Sequence, residues 1–304
     1  MTRRLILSLA TVLTLAACAD APTGTPEEGA PDFITYGVTD DGEHPYVGFM
    51  LFFDPNEPGW FSCSGTLLDA QTYLTAGHCT FGIGTNGNVT AGGSGGNDVW
   101  VTFQEKVDLT GFPLRADFPD DEAGLYAARS AWLNANRDFI RGTSYPHPEY
   151  ANFADFPANH DVGVVELSKS TRLRQYGVLA GLGTLDALAK AGDKVIIETA
   201  GYGIQEIRPD FVSLDERWKS TSMLVNLKSA LTDGWNVHTS NNPSAVNGEG
   251  GTCFGDSGGG VYLNNTNVVV AVVSFGLNNN CKGSDFSART DIADSQDFIL
   301  PFLN

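Results

Sequence analysis

The segment GDSGG at residues 255–259 places a serine between glycines. A serine hydroxyl is a weak nucleophile at neutral pH, so it needs a base beside it and donors for the oxyanion that forms after attack. A tight glycine turn can direct the backbone N–H groups of Gly255 and Ser257 toward one point. Because a glycine-rich serine is often only a turn, this segment alone leaves a nucleophile and a simple loop both open.

A histidine that could act as the base follows a short apolar strand, in the segment LTAGHC at residues 74–79. A lone histidine is usually a hydrogen-bonded loop residue, but Cys63 lies 16 positions before Cys79 on the preceding predicted strand. A disulfide between Cys63 and Cys79 would fasten the turn that carries His78. Closing a loop of this size is worth about 3 kcal/mol, and the context therefore favours a catalytic role for His78.

An aspartate that could orient this base stands at the start of an apolar strand, in the segment NHDVGVVEL at residues 159–167. A partly buried carboxylate there could hold one imidazole N–H of His78 and fix the tautomer that accepts the serine proton. Aspartates before strands are common, so Asp161 gains its predicted role only from its partners. His160 is predicted to point to the opposite side and to be structural.

Short apolar runs between turn signals predict the strands that position these groups. The run at residues 268–275 is too apolar for an edge strand and predicts a strand in the core. Helices are predicted at residues 121–136 and 295–303, the second shortened or bent by Pro301. Many short strands with few helices indicate a sandwich or barrels. The other predicted strands cover residues 46–53, 60–68, 72–75, 98–103, 162–167, 195–199 and 221–227.

Together these segments resemble the chymotrypsin–trypsin family of serine peptidases. The chain order His78, Asp161, Ser257 matches the family, as do the motifs TAGHC and GDSGG and the hairpin sequence SCSGTLL. AGYG at residues 200–203 resembles the family's glycine–aromatic–glycine turn, and SFG at residues 274–276 resembles the strand that pairs with substrate. The resemblance runs from about Ile34 to the C-terminus.

The resemblance implies an all-β fold of two six-stranded antiparallel β-barrels with the active site in the cleft between them. One peptidase domain, residues 34–304, would consist of an N-terminal barrel at about residues 34–165 and a C-terminal barrel at about residues 166–304. The implied activity is that of a serine endopeptidase, which hydrolyses polypeptides through an acyl-enzyme and needs no cofactor. The enzyme is expected to be a monomer.

The resemblance also assigns roles to individual residues. Ser257 would be the nucleophile, His78 the general base and Asp161 the residue that orients the base. The backbone N–H groups of Gly255 and Ser257 would form the oxyanion hole. The spacing of the family's second conserved cysteine pair predicts a disulfide between Cys253 and Cys281.

The chain departs from the family pattern at its N-terminus. Ile34 stands where the family has a freed α-ammonium group, which pairs with the aspartate before the nucleophile, here Asp256. No basic residue precedes Ile34, since the residue before it is Phe33. Either an unusual peptidase cleaves after Phe33, or the active site orders without cleavage.

The predicted specificity pocket also departs from that of simple trypsins. Gly251 stands where the trypsin branch carries an aspartate six residues before the nucleophile. Gly276 leaves the pocket wall open to a bulky apolar side chain, whereas Asp285 near the far wall could attract a base. We therefore expect a preference for large apolar residues rather than simple cleavage after Lys or Arg. The predicted substrate-binding residues are Gly251, Thr252, Phe254, Ser274, Phe275, Gly276 and Asp285.

The N-terminus has the features of an export signal. Arg3 and Arg4 precede an apolar run at residues 5–17, which is too short for a membrane span and typical of a signal peptide. The sequence LAAC at residues 15–18 resembles a bacterial lipoprotein box, so Cys18 is the predicted lipidation site, with ordinary cleavage near Ala19 as the alternative. A Pro-rich tether or propeptide would follow at residues 18–33. The protein is thus expected in the bacterial cell envelope or secreted.

The composition of the chain argues against some classes of binding partner, nucleic acid first among them. The net charge of −18 opposes binding to nucleic acid phosphates, and the membrane is expected to be contacted only through a lipid on Cys18. The five histidines show no paired ligand spacing, so no metal site is predicted. A binding protein with a dead site would usually lack the serine or the histidine. An α/β-hydrolase would share the Gly-x-Ser-x-Gly pattern but needs the order Ser, Asp, His.

Overall fold

The computed structural model describes residues 37–55, 59–83, 97–192, 194–205, 212–242 and 250–303. The predicted signal peptide, Cys18, the tether and Ile34 lie outside these residues. Within them, no helix is both long enough and apolar enough to cross a membrane.

Six antiparallel strands of the first half close into a barrel. Each strand pairs with its neighbours in the closed order β2–β3–β4–β7–β6–β5, so none of the six keeps a free edge. The barrel follows a short strand, β1 (Val38–Thr39). Its strands are β2 (Val47–Asp54), β3 (Gly59–Leu67), β4 (Thr72–Thr75), β5 (Asn97–Thr102), β6 (Ile140–Pro146) and β7 (Gly163–Leu167).

A second antiparallel barrel forms from the later strands. These strands are β9 (Ile196–Gly201), β10 (Trp218–Asn226), β11 (Asn236–Asn241), β12 (Gly260–Leu263), β13 (Val268–Gly276) and β14 (Gly283–Arg289). They run β10–β11–β14–β13–β12–β9, and the pairing of β9 with β10 closes the ring. The short strand β8 (Val178–Leu179) adds to β13, and β1 adds to β10. The predicted fold of two six-stranded barrels is therefore confirmed.

Among the described residues, three α-helices accompany the barrels: α1 (Glu122–Ala135), α2 (Thr184–Ala191) and α3 (Ala293–Ile299). Helix α1 begins where the side chain of Asp121 accepts a hydrogen bond from the Gly124 N–H at 2.8 Å, a standard N-cap. The predicted C-terminal helix is shorter than expected, because Leu300–Phe302 form a 3₁₀ turn that contains a proline.

Apolar side chains fill both barrels. In β13, residues 269–273 (VVAVV) are buried, as expected for a strand covered on both faces. Removing such side chains from water is worth roughly 25 cal/mol per Å² of apolar surface. This packing gives the loops between the barrels a rigid base, and those loops carry the predicted catalytic residues.

Candidate active site

The pairing of β4 with β7 brings His78 and Asp161 together. Thr75 lies opposite Gly163 in this antiparallel pair, so the turn that follows β4 meets the residues that precede β7. Asp161 is fully buried, and its Oδ2 lies 2.9 Å from Nδ1 of the His78 ring. Its Oδ1 accepts the backbone N–H of His78 at 2.7 Å. Two separate contacts therefore fix the orientation of the imidazole.

The charge of Asp161 changes the basicity of His78. Burial lowers the pKa of His78, but the negative charge of Asp161 and the hydrogen bond to it outweigh this effect, so the pKa is raised above 6.5. Ser274 also donates its hydroxyl to Oδ2 of Asp161 at 2.5 Å. Ser274 was predicted as a substrate-binding residue, and it also supports the aspartate.

Residues 255–259 form the nucleophile loop, the tight turn that carries the predicted nucleophile, and this turn requires glycine. Gly258 has φ of +78°, and a Cβ there would lie 2.0 Å from Oγ1 of Thr75. Gly255 has φ of +97°, which side chains rarely adopt. Ser257 in this loop lines the same cavity as His78. The amides of Gly255 and Ser257 donate to no acceptor among the described residues, so both are available to a bound group.

Ser64 of β3 ties the nucleophile loop to the first barrel. Its backbone N–H donates to the carbonyl of Ser257 at 2.8 Å, and its hydroxyl donates to the carbonyl of Gly255 at 2.9 Å. The same hydroxyl accepts the N–H of Tyr202 at 3.0 Å. The loop is thus held from β3 of the first barrel as well as from its own barrel.

Both predicted disulfides are present. Cys63 and Cys79 fasten the His78 turn to β3, and Cys253 and Cys281 join the irregular segment before the nucleophile loop to the segment after β13. Each bridge closes a short loop next to a predicted catalytic residue. The bridges therefore restrict the unfolded chain while holding the two sides of the site.

Asp256 lies beneath the nucleophile loop and is buried. Its two oxygens accept the backbone N–H groups of Gly203 at 2.8 Å and Cys253 at 2.9 Å. A Cβ on Gly203 would lie 2.3 Å from the carboxylate, which explains a glycine after Tyr202. Burial raises the pKa of Asp256 to about 7 despite these hydrogen bonds. The predicted pairing of Asp256 with Ile34 lies outside the described residues.

A cavity of about 430 Å³ opens beside Ser257. Phe275 forms one wall, stacks on Phe286 at a centroid distance of 4.8 Å, and receives the edges of Phe153 and Phe156. Gly276 leaves the wall open, since a Cβ there would meet nothing closer than 3.9 Å. Six of the seven predicted substrate-binding residues line this cavity: Thr252, Phe254, Ser274, Phe275, Gly276 and Asp285.

Gly251 is the predicted substrate-binding residue that does not line the cavity. A Cβ on Gly251 would lie 2.1 Å from Cγ of Asn241, so an aspartate there would require Asn241 to move. Instead, Asp285 brings a carboxylate to the cavity, where it accepts the Thr252 N–H at 2.6 Å and the Asn241 side-chain amide at 3.0 Å. Burial raises the pKa of Asp285 to about 6.

Sequence reasoning missed several residues of the site. Phe153 comes from the loop before Asp161, and Asn241 ends β11. Neither belongs to a local motif. An aromatic residue eight positions before a candidate catalytic aspartate gives no signal by itself, because only the folded loop brings Phe153 against Phe275. Other lining residues that were not predicted as site residues are Val273, Leu277, Asn278, Lys282 and Ser284.

Comparisons with known proteins bear on the fold and the family of the chain. No curated protein matches the sequence. Among solved structures, HL collagenase is 16% identical, with 88% of this chain and 96% of the other aligned at a TM-score of 0.58. Human heparin binding protein is also 16% identical, with 88% and 97% aligned at a TM-score of 0.54. These likenesses show the fold.

A family model identifies the chain more closely. The model described as Trypsin matches residues 130–299, which is more than half of the chain. The matched region includes Asp161, the nucleophile loop and most of the cavity beside it. The chain belongs to the trypsin family.

Proposed function

We propose that this protein is a serine endopeptidase that uses Ser257, His78 and Asp161 as its catalytic triad. The observation that carries the proposal is the His78–Asp161 pair, held at 2.9 Å, on the same cavity as Ser257. The family and fold make it a serine-type peptidase of the trypsin kind. The finer assignment depends on the chemistry these residues can perform together.

In the proposed mechanism, Nε2 of His78 removes the hydroxyl proton of Ser257 as Oγ attacks the peptide carbonyl. Asp161 keeps the proton on Nδ1, so that Nε2 is free to accept, and it stabilises the imidazolium that forms. The N–H groups of Gly255 and Ser257 stabilise the oxyanion. His78 then protonates the leaving amine, and water hydrolyses the acyl-enzyme by the reverse sequence of proton transfers.

We propose that the cavity takes large apolar side chains. Its walls include Phe275 and Val273, and the opening at Gly276 admits a ring. Asp285 adds attraction for a basic side chain only while it is ionised. Because both of its oxygens already accept hydrogen bonds, this attraction is weaker than that of an unpaired carboxylate.

The proposed placement in the cell follows from the N-terminal sequence and the disulfides, which are consistent with an oxidising compartment. We propose that residues 1–17 are a lipoprotein signal, that Cys18 is lipidated and that residues 18–33 form a tether to the peptidase domain. Cleavage before Ile34 would supply an ammonium group for Asp256. The substrates would be polypeptides, and the enzyme a monomer.

Covalent labelling by a fluorophosphonate tests the proposed nucleophile. We expect the wild-type protein to be labelled at Ser257 and Ser257→Ala to remain unlabelled. Ser130→Ala is a suitable control, because the Ser130 hydroxyl on α1 makes no hydrogen bond to any residue that the structure describes and does not line the cavity. A correctly folded wild type that hydrolyses no peptide and takes no label would instead indicate a binding protein on the peptidase fold.

A further inference from the structure

Two histidines and an aspartate converge outside the catalytic cavity. A ring nitrogen of His147, a ring nitrogen of His160 and a carboxylate oxygen of Asp294 all lie within 4.8 Å of one another. Oδ2 of Asp294 lies 2.9 Å from Nδ1 of His160 and 3.6 Å from Nε2 of His147. Neither histidine has a role in the proposed catalytic mechanism, although His160 directly precedes Asp161.

Three separate segments supply this cluster. His147 follows β6 and donates its backbone N–H to the carbonyl of Val162 at 2.9 Å. Asp294 lies in the first turn of α3. The ring of His160 stacks on that of His147 at 5.0 Å, and the edge of Trp235 packs against it at 4.8 Å. Packing therefore holds both rings with their nitrogens toward Asp294.

We propose that His147, His160 and Asp294 bind a divalent transition-metal ion, for which Zn²⁺ is the best fit. Imidazole nitrogens favour zinc and its neighbours over calcium or magnesium. Tetrahedral zinc with bonds of about 2.0–2.2 Å places its ligand atoms roughly 3.3 Å apart. The distances of 2.9 and 3.6 Å to Asp294 bracket this value. Because the two rings are stacked and nearly parallel, one imidazole has to turn out of the stack so that the ion lies in the plane of both rings, with water as the fourth ligand.

Glu149 contacts both of the proposed histidine ligands. Its carboxylate lies 3.4 Å from Nε2 of His160, which is the carboxylate–histidine–metal arrangement that orients a ligand. The backbone N–H of Glu149 also donates to Nδ1 of His147 at 3.2 Å. Metal binding through Nε2 moves the His147 proton to Nδ1, so this hydrogen bond is lost and the Glu149 N–H has to turn toward another acceptor. Asp294 is 23% exposed and Glu149 is 68% exposed, which gives an ion access.

The sequence predicted no metal site, because no two histidines show a paired spacing. The ligands become neighbours only when β6, the segment before Asp161 and α3 pack together. A bound ion would join these three segments, and it would stabilise the native state because the unfolded chain lacks the site.

The test is binding of Co²⁺ and Zn²⁺ to the metal-stripped full chain near neutral pH, in a Cys18→Ser background that removes the one thiol without a disulfide partner. We expect a single Co²⁺ to bind with the visible absorption of a four-coordinate complex, Zn²⁺ to displace it, and Zn²⁺ to raise the melting temperature. In Asp294→Asn and in His147→Gln, the affinity for Co²⁺ and Zn²⁺ should fall by more than about tenfold, since even the loss of a residue that only hydrogen-bonds to a metal ligand costs this much.

Two controls make the result decisive. Asp297→Asn removes an exposed carboxylate from the same helix, and His78→Asn removes the catalytic imidazole; both should bind the ion as the wild type does. Circular dichroism establishes that each variant is folded. The absence of a saturable complex in the wild type would overturn the proposal. Metal binding by Asp294→Asn with wild-type affinity would also overturn it, and so would the same loss of affinity in Asp294→Asn and Asp297→Asn. Retention of metal binding by His78→Asn would show that the metal site does not depend on the proposed peptidase activity.

Discussion

Asp161 is surrounded by donors, and this arrangement determines what a substitution would do. The backbone N–H of His78, the His78 ring and the hydroxyl of Ser274 all face its two oxygens. An amide in place of the carboxylate would point its NH₂ group at one of these donors. The imidazole would then have to turn its acceptor nitrogen toward the amide, which leaves a proton on Nε2, the nitrogen proposed to accept the proton of Ser257.

We therefore expect Asp161→Asn to lower kcat by roughly 10⁴-fold, the scale seen when this tautomer is lost in the triad template. KM should change little, because Asp161 does not line the cavity. Steady-state kinetics on a peptide substrate checks this prediction. Asp233→Asn changes an exposed aspartate and should keep wild-type kcat, whereas a similar loss in both variants would contradict the prediction.

The raised pKa of Asp285 predicts that the choice between basic and apolar substrates depends on pH. Its pKa is raised to about 6 by burial, so the carboxyl group is neutral below that pH and attracts a basic side chain only above it. The ratio of kcat/KM for an Arg substrate to that for a matched Phe substrate should therefore rise between about pH 5 and pH 7. The ionisation of His78 affects both substrates equally and cancels in the ratio.

Asp285→Asn is the matched variant for this measurement. It should give a low ratio that does not depend on pH, since the amide has no charge to gain. A wild-type ratio that stays constant across this range would contradict the assignment of Asp285 to the substrate cavity.

The chain runs for 83 positions from His78 to Asp161, and α1 is the helix that forms within this insertion between the two residues. The helix buries Leu125 and Leu133, and Trp132 packs its edge on Phe112, which in turn meets Trp60 of the first barrel. Its N-terminus depends on the Asp121 cap. The insertion is therefore an anchored part of the first barrel.

Asp121→Ala should lower the free energy of unfolding by about 1 kcal/mol, because the Gly124 N–H loses its acceptor. Asp121→Asn keeps an acceptor oxygen and should recover most of that stability. Chemical denaturation measures both variants, and equal destabilisation by Ala and Asn would show that the hydrogen bond is not the cause. Peptidase activity should be unchanged in either variant, since α1 contributes no residue to the cavity.

At the scale of the whole molecule, the site depends on contact between the barrels. His78 and Asp161 come from the first barrel and Ser257 from the second, and Ser64 connects them through the carbonyls of Ser257 and Gly255. Separation of the barrels would release the nucleophile loop before either barrel loses its strands. Activity is thus a more sensitive measure of that contact than secondary structure.

Ser64→Ala should separate the loss of activity from the loss of secondary structure. It leaves the carbonyl of Gly255 and the N–H of Tyr202 without a buried partner, at a cost of about 1–3 kcal/mol for each group. In urea, we expect this variant to lose activity at a lower concentration than it loses circular dichroism, by a wider margin than the wild type. Ser62→Ala on the same strand is the control, and coincident transitions in Ser64→Ala would refute the prediction.

The sequence predicted those parts of the molecule whose signal is local. GDSGG and TAGHC mark the proposed nucleophile and the proposed base, and apolar runs mark strands such as β2, β4 and β13. Strands β11 and β14 (NVHTSN and GSDFSAR) were not predicted, because their residues are mostly polar although most are buried. Their side chains form hydrogen bonds such as that between Asn241 and Asp285, which exist only after the barrel closes.

The division of the proposed triad between two barrels has a consequence for chain continuity. Residues 172, 174 and 175 in the connection between β7 and β8 are exposed, and no step of the chemistry requires the polypeptide to be unbroken there. A nick at this point would leave one fragment with the base and its aspartate and the other with the nucleophile, each inert by itself. Peptide hydrolysis would return when the two fragments reassociate, so the rate of hydrolysis would measure how much of the complex has formed.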